Sequence, residues 1–283
     1  MLRIAVQTKG RLNEDSLALL KDSGISFQEQ KRKFLMKSSD STMEALYLRD
    51  DDIPQAVADG VSDIGIVGFN EVRERGFDVD VLMKLGFGKC RISLAIPEAD
   101  EYNGLEYFQG KVIATSYPAI LDGFLKENGI SATVRTIAGS VEIAPAAGLS
   151  DAIFDIVSSG ATLVSNGLRE VVKVIDSEAV LIGGRNLSGK KKAQIDELLF
   201  RFQSVITGRK RKYLLMNIPS SAVQEAVKIL PALRSPTLMP LAAEGWYSMH
   251  SVVKESELWS KVSQLRAIGA EGILVLDVEK IIL

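Results

Sequence analysis

The centre of the chain contains the segment Asp151-Ala-Ile-Phe-Asp155-Ile-Val-Ser158-Ser-Gly160-Ala-Thr162, an apolar run followed by small and hydroxylated residues. The apolar run predicts a short buried parallel strand, and the residues after it predict a turn that leads into a helix. Gly160 would let the backbone approach a ligand, while hydroxyls and free N–H groups at the helix start would bind an anion. Asp155, on the strand, would accept hydrogen bonds from sugar hydroxyls. The segment therefore predicts a phosphoribosyl site, with an ordinary strand-to-helix turn and polar cap as the alternative.

Outward from this segment, apolar runs alternate with amphipathic segments over the first two thirds of the chain. The predicted strands are residues 2–6, 63–67, 111–115, 152–157 and 179–182. The predicted helices are residues 13–23, 53–59, 120–128 and 196–206. This alternation indicates an α/β fold.

The last quarter of the chain has a different order of elements. Strands are predicted at residues 213–218, 237–241, 246–253 and 272–278, with helices at 221–230 and 256–268. Ser221 and Gln224 fit a capping box at the first of these helices. The order β-α-β-β-α-β is the ferredoxin-like arrangement. Such modules often bind small effectors or pair with copies of themselves, so regulation is a hypothesis that the fold alone does not establish.

Length and composition exclude several classes of protein. At 283 residues and 46% hydrophobic content, the chain predicts two or three compact units. A net charge of -2, from 34 basic and 36 acidic side chains, argues against a general nucleic-acid binder. One cysteine and one histidine exclude an internal disulfide, a multi-cysteine metal site and a histidine-rich zinc site. Charges interrupt every apolar run before membrane-spanning length and the start lacks a secretory pattern, so no membrane association and a cytoplasmic location are expected.

Cationic motifs follow two other strands. Lys9-Gly10-Arg11-Leu12 comes directly after the first strand, so Lys9 and Arg11 would lie at its carboxyl end, where open α/β sheets bind ligands. Two cations there suit a polyphosphate, and a solvated surface loop is the alternative. Arg49 closes a strand, whereas Asp51 and Asp52 suit the start of the next helix by complementing its dipole. Arg49 is therefore the predicted ligand-binding residue of that motif.

Together, the ordered motifs resemble those of the ATP phosphoribosyltransferase family, which opens histidine biosynthesis. They are Lys9-Gly-Arg-Leu, Leu48-Arg-Asp-Asp-Asp-Ile-Pro54, Asp63-Ile-Gly-Ile-Val-Gly, Gly86-Phe-Gly-Lys-Cys-Arg91, Ile113-Ala-Thr-Ser-Tyr-Pro118, Gly139-Ser-Val-Glu-Ile-Ala-Pro145 and the segment from Gly148 to Thr162. The resemblance covers essentially the whole chain. Its C-terminal part, with Ser235-Pro-Thr237 and Ala267-Ile-Gly-Ala270, is similar to the regulatory domain of the family's long form.

The resemblance implies a specific reaction. Members of the family join N1 of the ATP adenine to C1 of the ribose of 5-phosphoribosyl 1-pyrophosphate, with inversion, releasing pyrophosphate and requiring Mg²⁺. The transition state gathers positive charge on the ribose while the leaving pyrophosphate gains negative charge. The expected contributions of the protein are thus orientation and electrostatic stabilisation. No protein nucleophile is needed, because a substrate nitrogen attacks.

The resemblance also implies roles for individual residues. The 5-phosphate would be held by Ser158, Ser159, Gly160, Ala161 and Thr162, beside Asp155. The pyrophosphate or ATP phosphates would face Lys9, Gly10, Arg11, Arg49 and either Arg32 or Lys33. The ribose hydroxyls or Mg²⁺ would be bound by Asp155 and Glu142, and the expected catalytic set is Lys9, Arg49, Glu142 and Asp155. Two alternatives stay open: Glu142 as a helix-start carboxylate, and Tyr117 as a turn-packing residue instead of a neighbour of adenine.

The architecture implied by the resemblance has two periplasmic-binding-protein-like α/β lobes around a catalytic cleft and a C-terminal ferredoxin-like (βαββαβ) regulatory domain. Lobe I would comprise residues 1–90 and 182–208, lobe II residues 91–181, and the regulatory domain residues 209–283. Histidine would inhibit at that domain, contacting Asn217, Thr237, Gly269 and Ala270. Inhibition in such members accompanies a shift between oligomers, so a homodimer and a hexamer are expected.

Two other functions fit parts of the sequence. A non-catalytic effector sensor would also have two hinged lobes and a small regulatory domain, but it has no need of carboxylates beside a phosphate site. A base-salvage phosphoribosyltransferase usually has paired acids directly before a Thr-Gly-Gly-Thr-like turn. This chain has only Asp155, at some distance from its turn.

Overall fold

The structure is a computed structural model that describes residues 1–27, 34–231 and 233–282. The chain forms two compact units, Met1–Gln194 and Ile195–Leu283. The strands of the described ranges are β1 (Leu2–Gln7), β2 (Leu35–Lys37), β3 (Met43–Leu48), β4 (Ile64–Gly68), β5 (Val79–Lys84), β6 (Cys90–Pro97), β7 (Val112–Thr115), β8 (Thr133–Thr136), β9 (Ala152–Val157), β10 (Leu168–Ser177), β11 (Ala179–Gly184), β12 (Arg211–Pro219), β13 (Thr237–Pro240), β14 (Trp246–Lys254) and β15 (Glu271–Asp277).

The α-helices of the same ranges alternate with these strands. They are α1 (Arg11–Asp22), α2 (Ile53–Ala58), α3 (Phe69–Arg75), α4 (Pro118–Glu127), α5 (Ala161–Ser165), α6 (Gly189–Arg209), α7 (Val223–Ile229) and α8 (Leu258–Ala267). Each helix within the described ranges is too short or too polar to span a bilayer.

The first unit contains two sheets with the same design, which we call lobe I and lobe II with their flanking helices. Lobe I has the order β2-β3-β1-β4-β11-β5, and lobe II has the order β10-β6-β9-β7-β8. In lobe I, β3, β1 and β4 are parallel and β11 lies antiparallel between β4 and β5. In lobe II, β8, β7 and β9 are parallel and β6 lies antiparallel between β9 and β10.

The antiparallel strand of each lobe is the first strand after the chain passes from the other lobe. The chain leaves lobe I after β5, crosses at residues 85–89 and enters lobe II as β6. It returns after β10 through Glu178 and enters lobe I as β11. Two crossing segments therefore connect the lobes side by side, an arrangement typical of hinged binding folds.

Helix α2 packs directly on the centre of the lobe I sheet. Strands β4 and β11 are buried along almost their whole length, as expected of central strands covered on both faces. A Cβ added to Gly65 would lie 2.6 Å from Cγ2 of Ile53, so a glycine at this position allows the close approach.

The second unit contains a four-stranded antiparallel sheet of order β13-β14-β12-β15. Its core joins Leu214, Met216 and Met249 of the sheet to apolar residues of α7 and α8. The observed order β12-α7-β13-β14-α8-β15 is the ferredoxin-like βαββαβ order. The predicted fold class, two periplasmic-binding-protein-like lobes and a ferredoxin-like C-terminal domain, is confirmed.

The predicted capping box of the C-terminal domain is wrong. A 3-10 turn, Ser220–Ala222, precedes α7, which begins only at Val223 and has no side-chain hydrogen bond at its cap. Ser221 lies inside that turn and is not at the helix start. The tighter first turn moves the cap from Ser221 to Ala222, a shift of one residue that a sequence pattern does not register.

Candidate active site

The loop after β9 presents backbone and hydroxyl groups to solvent. Gly160 adopts the left-handed conformation, with φ of 83°, and opens α5. The residues that flank it, Ser158, Ser159 and Thr162, are exposed. Nη1 of Arg91 donates to the carbonyl of Ser158 at 3.1 Å, which fixes the start of the loop. Because first-turn N–H groups have no partner within a helix, the loop can donate several hydrogen bonds to an anion.

Asp155 lies on β9, three residues before Ser158, and is half-buried. Oγ of Ser116 donates to its Oδ1 at 3.1 Å. Burial raises the pKa of Asp155, the negative charge of Glu142 raises it further, and hydrogen bonds from Ser116 and the Ile156 N–H oppose the shift. The charge of Glu142 therefore acts on Asp155, and a shared site for the two carboxylates stays a prediction.

Glu142 lies in the short 3-10 turn Val141–Ile143, which follows Ser140 in the left-handed conformation. A turn of this length has little of the dipole that an α-helix would offer a carboxylate. Helix-start stabilisation is therefore a weak account of Glu142, and its proximity to Asp155 is the stronger feature. No group of three or more His, Cys, Asp or Glu side chains within the described ranges is arranged to hold a metal ion.

The predicted cations of lobe I lie at the carboxyl ends of their strands. Lys9 and Gly10 fall between β1 and α1, Arg11 begins α1, and all three are exposed. Arg49 follows β3, and its Nε lies 3.1 Å from Oδ1 of Asp51 with 77% of the side chain exposed. An exposed pair of this kind contributes only about 0–1 kcal/mol. A phosphate can therefore replace Asp51 as the partner of Arg49.

Tyr117 is buried, with 8% of its surface exposed, and its ring belongs to the core of lobe II. Its hydroxyl accepts a hydrogen bond from Nδ2 of Asn70 at 3.2 Å, and the same Nδ2 donates to Oε1 of Glu71 at 3.0 Å. Burial and the charge of Glu71 raise the pKa of Tyr117. This placement favours the packing role, and the contact with adenine stays a prediction. Arg32 and Lys33 lie outside the described residues.

The predicted effector residues lie on the C-terminal sheet and in the turn before β15, and Asn217 pairs with Glu271, the residue after Ala270. Asn217 of β12 pairs with Ser248, and Thr237 of β13 pairs with His250, so both side chains point to the same face of the sheet. Gly269, with φ of 93°, and the buried Ala270 lie just before β15. A Cβ on Gly269 would lie 3.4 Å from Cγ of Pro219.

Sequence reasoning missed several side chains around Asp155 and Tyr117. Ser116 supports Asp155, and Asn70, Glu71 and Glu74 of α3 reach the neighbouring lobe. The sequence held one signal for α3: the polar residues Asn70 and Glu71 come soon after the Gly68 motif of β4, and both are buried in the structure. Their partners in lobe II are more than 40 residues away in sequence, so the pattern did not show what they bind.

A comparison with protein-family models identifies the family of this chain. The family model described as ATP phosphoribosyltransferase matches residues 49–204. The chain belongs to the ATP phosphoribosyltransferase family. A second model, described as "HisG, C-terminal domain", matches residues 208–280. The recognition made from the sequence is confirmed, and with it the enzyme class, a phosphoribosyltransferase.

Curated members of the ATP phosphoribosyltransferase family are similar over the whole chain. A protein named ATP phosphoribosyltransferase from Bacteroides fragilis is 56% identical over 283 residues, covering 100% of both chains. One with the same name from Cytophaga hutchinsonii is 51% identical, covering 100% of this chain and 99% of the relative. Among solved structures, the Thermotoga maritima "ATP phosphoribosyl transferase (HisG:HisZ) complex" has a TM-score of 0.64 and 28% identity, covering 73% of this chain and 99% of that one.

Proposed function

We propose that this chain transfers the phosphoribosyl group of 5-phosphoribosyl 1-pyrophosphate to N1 of ATP, the first step of histidine biosynthesis. The observation that carries the proposal is the pairing of an anion-binding loop with a half-buried carboxylate. Gly160 lies in the loop and opens α5, and Asp155 lies on the strand that leads into the loop. Membership of the ATP phosphoribosyltransferase family, over the full length of several relatives, supports the same reaction.

The loop after β9 orients the donor. Backbone N–H groups and the hydroxyls of Ser158, Ser159 and Thr162 hold the 5-phosphate, with Gly160 and Ala161 allowing close approach. Asp155 accepts hydrogen bonds from the ribose hydroxyls, and its negative charge stabilises the positive charge that develops on the ribose as pyrophosphate leaves. The partial burial of Asp155 strengthens this effect, because a lower dielectric screens charge less than water does.

Cations of lobe I receive the phosphates. Lys9, Arg11 and Arg49, with Gly10 and either Arg32 or Lys33, bind pyrophosphate or the phosphates of ATP. Closing the lobes brings the adenine N1 and the anomeric carbon together and excludes water, which limits hydrolysis of the donor. Catalysis then consists of orientation and charge stabilisation by Lys9, Arg49, Glu142 and Asp155.

Glu142 and Asp155 also fit a magnesium ion. Their oxygens are the hard ligands that Mg²⁺ prefers, and Mg²⁺ is commonly bound through one or two carboxylates together with substrate phosphates. The mutual charge of the two groups, which raises the pKa of Asp155, would be relieved by a bound cation. When bound, Mg²⁺ neutralises charge on the leaving pyrophosphate.

Regulation and assembly are part of the proposal. The predicted bounds are residues 1–90 and 182–208 for lobe I, 91–181 for lobe II and 209–283 for the regulatory domain. Strand β11 begins at Ala179 and pairs within the lobe I sheet, and β6 begins at Cys90 in lobe II, so the two lobe boundaries shift by one to three residues. Histidine inhibits by binding at the regulatory domain beside Asn217, Thr237, Gly269 and Ala270, and the chain forms homodimers and hexamers in the cytoplasm. The ferredoxin-like order of the domain and its match to the family's C-terminal model support this assignment.

A coupled assay tests the catalytic proposal. Purified protein is mixed with ATP, Mg²⁺ and the donor, and adduct absorbance and pyrophosphate are followed for the wild type and Thr162→Ala. Losing a hydrogen bond to a charged phosphate costs about 1.5–3 kcal/mol, so kcat/KM for the donor should fall at least tenfold. The matched control is Thr133→Ala, which removes an exposed hydroxyl from β8 of the same lobe and should leave turnover unchanged. Normal turnover of Thr162→Ala would remove the phosphate role of the loop.

The same assay tests regulation separately. Added histidine should lower the rate of the wild type and shift its mass in solution towards the hexamer. Persistent full activity at high histidine would end the regulatory proposal and leave the catalytic one standing.

A further inference from the structure

Helix α4 of lobe II is capped by a carboxylate from lobe I. Glu74, on α3, accepts hydrogen bonds from the backbone N–H groups of Ala119 and Ile120 at 3.0 Å each. Helix α4 begins at Pro118 and has no side-chain cap of its own. A negative group at a helix start satisfies unpaired N–H groups and complements the helix dipole. The first turn of α4 is therefore held by the other lobe.

A buried polar cluster reinforces this contact. The backbone N–H of Asn70 donates to Oγ of Ser177 at 3.0 Å, and that hydroxyl donates back to Oδ1 of Asn70 at 2.8 Å. Nδ2 of Asn70 is shared between Glu71, at 3.0 Å, and the hydroxyl of Tyr117, at 3.2 Å. The group Asn70, Glu71, Glu74, Tyr117 and Ser177 is called the interlobe clasp below. Its hydrogen bonds join α3 of lobe I to the end of β10 and the start of α4 in lobe II.

The clasp continues into the candidate active site through two residues next to Tyr117. The backbone N–H of Tyr117 donates to Oγ1 of Thr115 at 2.8 Å, which sets the turn between β7 and α4. Ser116, between them, donates to Oδ1 of Asp155 at 3.1 Å. The side chain of Ser116 therefore orients Asp155, and the next residue, Tyr117, is held by lobe I.

We propose that the interlobe clasp positions Asp155 for phosphoribosyl transfer, with Tyr117 and Glu74 as positioning residues that act through Ser116. This inference rests on the proposed function. The turn at residues 115–117 is held by contacts from both lobes, so the placement of α3 against lobe II determines the orientation of Asp155.

Tyr117→Phe is the central test, because the ring stays in the lobe II core and only the hydroxyl is lost. We expect kcat to fall about tenfold, the cost of one buried hydrogen bond beside the charged Glu71, with the KM for ATP unchanged. The matched control is Tyr107→Phe, whose hydroxyl is bonded to Asp100 within lobe II and should leave kcat unchanged. Equal kcat for the wild type and Tyr117→Phe, or equal losses for both tyrosines, would overturn the inference.

A double-mutant cycle separates positioning from general loss of stability. If Tyr117 acts through Ser116, then Tyr117→Phe combined with Ser116→Ala should be little worse than the more damaging single variant. The combination of Tyr107→Phe with Ser116→Ala should instead multiply the separate effects. Multiplying effects in the Tyr117 cycle would contradict the proposed route.

Glu74 gives an independent readout if Tyr117→Phe folds poorly. Glu74→Gln keeps one of the two acceptor oxygens, whereas Glu74→Ala removes both, so kcat should fall in the order wild type, Gln, Ala. Equal kcat in all three at matched thermal stability would refute the clasp. A wild type that transfers no phosphoribosyl group to ATP refutes the proposed function itself, whereas an active wild type with insensitive variants refutes only the clasp.

Discussion

At the scale of the residue, the negative charge of Asp155 lowers the stability of the folded protein. Its pKa is raised by burial, so the ionised carboxylate is disfavoured in the folded state relative to the unfolded chain. We predict that Asp155→Asn raises the free energy of unfolding at pH 7.5 by about 1 kcal/mol, as removal of a functional buried charge commonly does, while it abolishes most turnover. Thermal melting and the coupled assay measure the two effects.

The dependence of this stability gain on pH has a definite sign. Between the ordinary aspartate pKa and the raised one, the folded state binds more protons than the unfolded state, so the stability of the wild type increases as pH falls. The advantage of Asp155→Asn should therefore be full above the raised pKa and should shrink as the pH is lowered through it. If the difference in unfolding free energy between Asp155→Asn and the wild type grew as the pH fell, the raised pKa of Asp155 would be contradicted. The activity of the wild type should fall over the same interval, because the ionised form is the one that stabilises the ribose charge.

Gly160 supplies a second test at this scale. Its φ of 83° lies in the left-handed region, where an added Cβ is strained, and the nearest side-chain atom would be Cγ1 of Val157 at 4.0 Å. Gly160→Ala is expected to cost about 1 kcal/mol of stability and to raise the KM for the donor, because the loop must distort. Gly167→Ala, at φ of 67° with no atom within 4 Å, carries the same backbone strain beyond α5. An equal rise in KM for both variants would show that the effect is not specific to the loop.

At the scale of the element, the end of α6 is closely packed. A Cβ on Gly208 would lie 2.8 Å from the backbone C and O of Glu279 and from the N of Lys280. Gly208→Ala should therefore destabilise the C-terminal unit by about 1–3 kcal/mol, the usual cost of overpacking. Gly189→Ala, at the first residue of the same helix with no atom within 4 Å, should be neutral or stabilising by up to about 1 kcal/mol. Urea denaturation of the two variants provides the comparison.

The sequence predicted several elements well where local pattern and burial coincide, although the buried strand β6 was not predicted. Strand β9 was placed at its observed residues, and β1, β4 and α2 within one or two residues, because their apolar runs are short and bounded by polar or glycine residues. Strand β8 was not predicted: it is a four-residue edge strand with mostly exposed side chains, so it lacks an apolar pattern. Strand β10 was missed because charged residues interrupt its apolar ones.

The candidate site was predictable only in part. The loop after β9 and the cations after β1 and β3 were named from sequence, because small, hydroxylated and basic residues at strand ends have a physical reason to be there. Ser116 and Glu74 were not, since their importance depends on which elements meet in space. The clasp joins residues 45 or more positions apart, and no local pattern encodes that pairing.

At the scale of the whole molecule, Glu178 ties together the two segments that cross between the lobes. Its Oε2 accepts the Gly86 N–H at 3.1 Å, and its Oε1 lies 3.7 Å from Nζ of Lys84. We predict that Glu178→Ala speeds hydrogen exchange of residues 85–89 by about tenfold or more, because a hydrogen bond to a charged acceptor contributes about 1.5–3 kcal/mol. Glu178→Gln keeps an acceptor for Gly86 and should show a smaller change. Unchanged exchange in Glu178→Ala would mean that strand pairing alone holds the crossing.

Cys90 lies at the end of the first crossing segment and is a natural attachment site for a label there. It is the single cysteine of the sequence, lies at the first residue of β6 and lines a cavity of about 210 Å³ with Lys84, Ser177 and Glu178. Burial raises the pKa of its thiol, so alkylation should be slow while the neighbouring strands stay paired. The rate at which a maleimide dye reacts, followed with and without nucleotide, would then report the opening frequency of the wild-type protein without any engineered cysteine.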